Sequence, residues 1–304
     1  MTKKRMRSAV LAISCWALAS TAACGTPNAQ ERKTVQTKTE AGTLPDSGLR
    51  AKWPSAGVES GLAAGMRLPL QDYMLSYPDE VTIESAKDKV KTACMARLGF
   101  TFTPPAPGTT PSLSYDDMNM ERRYGITDAK AAQRYGYQAP VEEPTDDTAA
   151  VESAEGRGEE WFDGLDNTCV PEANDRVGIL YETDVAGDLA AESLEVTQKD
   201  PEVTAAIAKW SACMDKQDHP VDDPLNAQPV PAADGAEGKA TVSEIAQAND
   251  DVACKQSSSL VTVWQEAEEL YQQKQIVGHK SELEAEKARN DEMAAKARAI
   301  LGEQ

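Results

Sequence analysis

Apolar residues recur at helical spacing along most of the chain from residue 68 onward. Over Asp79–Leu98 the positions Ile83, Ala86, Val90, Ala93/Cys94 and Leu98 form one stripe at the i, i+3, i+4 interval. Asp79 and Glu80 suit the first turn of that helix, and Gly99 suits a left-handed cap at its end. Phe100 and Phe102 are expected to pack beside Cys94. A second helix is announced by Asp200-Pro201-Glu202, an N-cap followed by proline at the first helical position. Val203, Ala206, Ile207, Trp210, Cys213 and Met214 then keep the period, which places Trp210 in a core rather than on a ligand-stacking surface. Thr241-Val242-Ser243-Glu244 reads as a capping box before Ile245, Ala248, Val252, Ala253 and Cys254. Leu260, Val263, Trp264, Ala267, Leu270 and Tyr271 continue as an apolar face. Beyond Gly278 the chain is rich in Ala, Glu, Lys and Arg, which predicts a long, thinly apolar and solvent-exposed terminal helix, either extending the bundle or presented to a partner.

Between these stretches the pattern breaks. Residues 25–61 have no helical or strand period and read as a flexible tether, roughly 35 Å in average reach. Residues 103–114 and 218–239 are rich in Pro, Gly and small residues, and 139–160 is acidic and poor in large apolar groups. Two short helices are expected at Tyr115–Tyr124 and Thr127–Tyr135, each ending in Arg-Tyr-Gly. The alternatives for that motif are an aromatic-cationic recognition patch or two glycine-capped helix ends with packed tyrosines; the second is favoured. Trp161-Phe162 marks a return to structure, and Cys169-Val170-Pro171 starts another helix. The fold class is therefore mainly α: a disulfide-stapled helical domain with long loops and a long C-terminal helix. It is expected to span 62–304, with similar half-units at 62–180 and 181–304.

The N-terminus is of another kind. Lys3, Lys4, Arg5 and Arg7 precede an apolar run over 8–23 that is too short for a spanning helix, and Leu18-Ala19-Ser20-Thr21-Ala22-Ala23-Cys24 closes it as a lipobox. Residues 1–23 are expected to be a lipoprotein signal peptide, Cys24 the lipidated residue, and 24–61 the tether. Cleavage there would leave 281 residues and, with four positive charges lost, take the net charge from −19 to −23. So acidic a surface disfavours nucleic acid and anionic headgroups, leaving the acyl chains to supply membrane affinity on the extracytoplasmic face.

Four cysteines then remain: Cys94, Cys169, Cys213 and Cys254. They allow two disulfides in any of three pairings. The parallel contexts Ala93-Cys94-Met95 and Ala212-Cys213-Met214, each followed by a loop and a second cysteine, suggest Cys94–Cys169 with Cys213–Cys254. Close Cys-x-x-Cys or His pairs of the zinc kind do not occur, so no metal is expected. Asp163, Asp166, Glu172 and Asp175 gather in sequence without the spacing of a calcium loop.

The combination of Leu68-Pro69-Leu70 with Tyr73, Cys94-Met95 with Gly99-Phe100, Trp210 with Cys213-Met214, and Glu244 to Cys254 followed by Trp264, Glu268 and Gln272 resembles a family of uncharacterised secreted lipoproteins of actinobacteria, of the streptomycete type. The second Cys-Met motif departs from the first, with Gln217-Asp218-His219 where Gly and an aromatic would stand. The resemblance implies lipidation, disulfides and the outer face of the cytoplasmic membrane, and it implies no activity. The chain has no Gly-x-Ser-x-Gly elbow, no His-Glu-x-x-His and no complete phosphate loop, so no catalytic residue and no cofactor are assigned. The expected function is a non-enzymatic binding or interaction module of the cell envelope, meeting an envelope protein or peptidoglycan and no nucleic acid. The alternatives are a solute-binding component of a transporter and an envelope hydrolase.

Overall fold

A computed structural model describes residues 58–105, 120–138, 150, 156–228 and 240–302. The chain divides into two compact units, Met1–Lys38 and Thr39–Gln304, and all the described residues belong to the second. Cys24, the signal segment and most of the expected tether lie outside the described residues. The unit is mainly helical, and no strand occurs among the described residues.

Helix α1, Tyr77–Arg97, starts two residues before the expected position because Ser76 caps it, accepting from the Asp79 amide, and Pro78 fits the first turn. Ile83, Ala86, Val90 and Cys94 are buried as the stripe predicts, but Leu98 is largely exposed and Val81 and Met95 turn inward instead. Helix α2, Ala129–Tyr135, is capped by Asp128. Helix α3, Glu159–Gly164, runs through a π-helical turn, Leu165–Cys169, directly into α4, Val170–Val177. Pro171 therefore does not open a separate helix. Its missing N–H falls where the wider π turn already disturbs the ladder.

Helices α5, Val185–Thr197, and α6, Pro201–Asp215, carry side-chain caps from Asp184 and Asp200. The C-terminal stretch forms three helices, α7, Val242–Ser258, α8, Leu260–Gly278, and α9, Lys280–Leu301, the last being the long terminal helix. Ser259 takes a left-handed conformation at the first break, and His279 interrupts the second. The largest core cluster gathers Leu68, Leu70, Tyr124, Trp210, Met214, Leu260 and Trp264, where α5, α6 and α8 meet the segment before α1. Ordered chain begins before Leu62: Val58 packs against this cluster, and the Ser60 hydroxyl donates to Asp128.

Helix α9 packs along α1, with Met293, Ala294 and Ala297 against Ile83 and Ala86. Small side chains let the two backbones approach, so a helix with few large apolar residues still buries a face. This is the bundle-extension alternative, and it joins residues on either side of position 180. The segment 218–228 is also held down. Ser211 Oγ donates to the Val221 carbonyl at 2.6 Å, Gln247 Nε2 donates to the Ala227 carbonyl at 2.7 Å, and Ala227 is buried.

Both disulfides are formed, as Cys94–Cys169 and Cys213–Cys254. The first joins α1 to the π turn and lies in a small cluster with Met95 and Trp161, flanked by Phe100 and Phe102. Trp161 Nε1 donates to the Thr101 carbonyl at 3.0 Å, so the ring is buried with its polar edge satisfied. The second joins α6 to α7. Its Cys254 half is buried in the main cluster and its Cys213 half is partly open.

Candidate functional site

Among the described residues, chemistry-bearing side chains gather in three buried places and one open one. At the centre, Glu268 of α8 is fully buried among donors: Arg123 Nε at 2.8 Å and Nη2 at 2.7 Å, Tyr124 Oη at 2.8 Å and Ser193 Oγ at 2.6 Å. Arg123 also donates to the Ala190 carbonyl, and Gln272 Nε2 donates to Ser193 Oγ at 2.9 Å. Burial and the Glu268 charge push the Tyr124 phenol well above its ordinary range. A serine beside a carboxylate suggests nucleophile chemistry, but Ser193, Tyr124, Arg123 and Glu268 are all buried and spent on one another. The network ties α5 and α8 to the turn that precedes α2.

Beside it, Asp251 and Lys255, four apart on α7, pair at 3.1 Å with both side chains fully buried. Trp210 Nε1 donates to Asp251 at 2.8 Å, Tyr137 Oη donates to it at 3.1 Å, and Lys255 Nζ reaches the Ile126 carbonyl at 3.1 Å. Burial raises Asp251 and lowers Lys255, while their mutual attraction opposes both shifts. Gly125, at φ 73°, lies under this pair. A β-carbon there would stand 2.3 Å from the Pro224 carbonyl oxygen and 2.7 Å from Lys255 Nζ. Trp210 is thus core, as its period predicts, and it also serves as a hydrogen-bond donor.

The third group caps a helix from a distance. Glu286 of α9 is buried and accepts from the Val185 amide at 2.7 Å and the Ala186 amide at 3.1 Å, the first free amides of α5. Replacing Glu286 by alanine is expected to lower stability by about 1–3 kcal/mol, because a buried amide loses its acceptor. Urea denaturation checks it, and Glu286→Gln should recover part of the loss.

The open place lies between α9 and the loop 178–183. It is a groove of about 190 Å³ lined by Ile179, Tyr181, Glu182 and Thr183 on the loop and by Arg289, Asn290, Glu292, Met293 and Lys296 on the helix. The sequence forces the loop outward. Gly178, at φ 128°, turns the chain out of α4 against Met293, and six residues later Asp184 caps α5, leaving no length for Ile179-Leu180-Tyr181 to form a helix. Leu180 packs inward, while Ile179 and Tyr181 stay 48% and 52% exposed.

Tyr181 is held at φ 54°, a left-handed conformation that costs a bulky residue about 1–3 kcal/mol. Its hydroxyl is bonded to Glu80 of α1, whose own pKa burial raises. An aromatic ring held in a strained conformation and left half open is a feature of binding sites more often than of bare loops. On the opposite wall Arg289 donates to Thr183 Oγ1, and Lys296 pairs with Glu292 at 2.8 Å. Arg289, Lys296 and Glu292 are all substantially exposed. On a chain of net charge −19, this groove brings two cations against Glu182 and Glu292.

No family model, no curated protein and no solved structure matches the chain. The chemistry of the molecule therefore rests on its own residues.

The four sequence-assigned cysteines form the two staples, and neither staple lines the groove. Of the two Arg-Tyr-Gly motifs, the first supplies the buried Arg123 and Tyr124. In the second, Arg134 stacks on Tyr135 at 5.0 Å from the ring centre. Glu172 of the acidic group pairs with Arg97 and Arg176, and Asp163 accepts from Asn167. Among the described residues no three metal-ligating side chains converge, and no described helix is long and apolar enough to cross a membrane. His219 and His279 are half-buried rather than fully solvated, each beside a carboxylate, Asp250 and Glu282. Sequence reading did not single out the groove. The available signal was the triplet Ile179-Leu180-Tyr181 confined between a glycine and a helix cap.

Proposed function

We propose that the protein is a lipid-anchored, extracytoplasmic binding module of the cell envelope that works without chemistry of its own. Cys24, behind its lipobox, is the anchor, and the two disulfides suit an oxidising compartment. The observation that carries the reading is the groove. Its exposed side chains, Tyr181, Ile179, Arg289 and Lys296, are recognition groups, whereas Ser193, Glu268 and Tyr124 are enclosed and hydrogen-bonded within the core. The partner sought is an envelope protein or peptidoglycan. A solute-binding protein of two α/β lobes differs from this architecture, which is mainly helical. An envelope hydrolase would need reactive groups in the open groove, and the serine–carboxylate set lies elsewhere.

The test uses the full chain in intact cells, with a photo-crosslinking amino acid at position 179 or, as a control, at the exposed position 270 of α8. The expected result is a saturable adduct with an envelope component from position 179 that is lost with Cys24→Ser and is not formed from position 270. Identical products from both positions would remove the support for a specific binding site.

A further inference from the structure

The groove carries a charge arrangement that names a ligand class. Arg289 and Glu292 are three residues apart on α9, so their Cβ atoms stand about 5–6 Å apart on one face. They are not paired with each other. Arg289 turns to Thr183 and, at 4.0 Å, to Glu286, whereas Glu292 turns to Lys296. The Lys296–Glu292 pair is exposed on both sides and exchanges at little cost, while Arg289 is exposed and meets the buried Glu286 only at 4.0 Å. Turned toward the groove, the guanidinium fork and the carboxylate would offer complementary charges to the carboxylate and ammonium of one α-amino acid, with the Thr183 hydroxyl beside the first and Asn290 on the same wall.

Across the groove, Ile179 and the half-exposed Tyr181 form an apolar wall, with Met293 at the floor beside Glu292. The volume, about 190 Å³, lies below the roughly 300–1,000 Å³ of pockets for drug-sized ligands. Size, apolar wall and paired opposite charges together favour a small zwitterion with an apolar side chain over a long peptide or a polyanion.

We propose that the groove between the 178–183 loop and α9 binds a free α-amino acid with an apolar side chain, its carboxylate on Arg289 and its ammonium on Glu292. The inference rests on the reading of the groove as a binding site and gives it a small solute in place of an envelope protein or peptidoglycan. Tyr181 is then the residue whose strain is repaid by function: a glycine would relax the loop but remove the ring that covers the ligand's side chain. Glu80, reaching the Tyr181 hydroxyl from α1, is a positioning residue for that ring.

The test is equilibrium dialysis and calorimetry of the full chain in detergent with L-leucine, L-isoleucine and L-phenylalanine as probes, beside N-acetyl-leucine and leucinamide. At least one free amino acid should bind saturably at one site per chain. Blocking its amine or its carboxylate should weaken binding at least tenfold. Arg289→Gln and Glu292→Gln should each weaken it at least tenfold, and Tyr181→Gly should weaken it in chains that circular dichroism shows to be folded. The proposal is overturned if none of the three amino acids binds, if the blocked derivatives bind equally well, or if the variants bind as the parent does. If binding fails while the position-179 crosslink to an envelope component persists, the ligand assignment falls and the module reading stands.

Discussion

Replacing Glu268 by alanine is expected to cost about 3–5 kcal/mol of folding stability, one of the two largest losses available among the described residues. The side chain accepts from Arg123, Tyr124 and Ser193 with no water-facing surface, so its removal leaves a buried guanidinium without its counter-charge and a phenol without its acceptor, while Ser193 keeps the Ala190 carbonyl. The cost is not the net worth of the pair. Two buried ions lose hydration on folding, and their attraction offsets that loss only because every donor is met. A paired apolar replacement, Arg123→Met with Glu268→Leu, is therefore expected to recover most of the deficit. Urea denaturation of the three chains measures the difference. If Glu268→Ala lost less than about 1 kcal/mol, or if the double variant were as unstable as the single one, the network would not be the desolvated structural element its burial indicates.

Why this network escaped a sequence reading is instructive. Helical periodicity locates an apolar stripe, and on α8 it points to Leu260, Val263, Trp264, Ala267, Leu270 and Tyr271. Leu260 and Trp264 are buried and Val263 and Ala267 half-buried, but the buried face also takes in Val261, Glu268 and Gln272, and Leu270 is 70% exposed. Two polar residues at core positions rotate the apparent stripe, because a pattern of apolar letters cannot show that a glutamate 145 residues from an arginine will meet it. Glu244 repeats the lesson. Thr241 does accept from the Glu244 amide, yet the Glu244 carboxylate turns to the Tyr137 amide and the Gln138 side chain, so the expected box is half made. The break at Ser259 has no glycine or proline, and apolar periodicity passes through it without a signal, whereas Gly278 marks the second.

Other features were legible because their causes are local. The caps at Asp200 and Thr241, the glycine after α1 and the stripe Ile83–Cys94 depend on neighbours within one or two turns. The helical class and the cysteine pairing could also be read, the first from periodicity and the second from the parallel settings of Cys94 and Cys213. The groove could not, since it needs α9 beside the 178–183 loop, roughly a hundred residues earlier in the chain. Only the fold brings the two walls together.

The two staples should differ in what they hold. Loop closure over 75 residues for Cys94–Cys169 and 41 for Cys213–Cys254 gives a chain-entropy stabilisation of roughly 4 kcal/mol each, with the longer loop ahead by about half a kcal/mol. Cys94→Ala/Cys169→Ala and Cys213→Ala/Cys254→Ala are therefore expected to lose similar stability in urea denaturation. A loss below about 1 kcal/mol for either pair would show that the reduced chain keeps the same structure at little cost. Their effects on the groove should separate. Cys94–Cys169 clamps α1 to the π turn that runs into α4, and α4 ends at Val177 and Gly178, where the groove loop begins, while α1 also carries the Glu80 that holds Tyr181. Cys213–Cys254 joins α6 to α7, and neither helix lines the groove. Removing the first staple should thus weaken amino-acid binding at temperatures where both variants remain folded, and removing the second should leave it unchanged. Equal weakening by both would mean that the groove depends on global stability rather than on the clamp at its base.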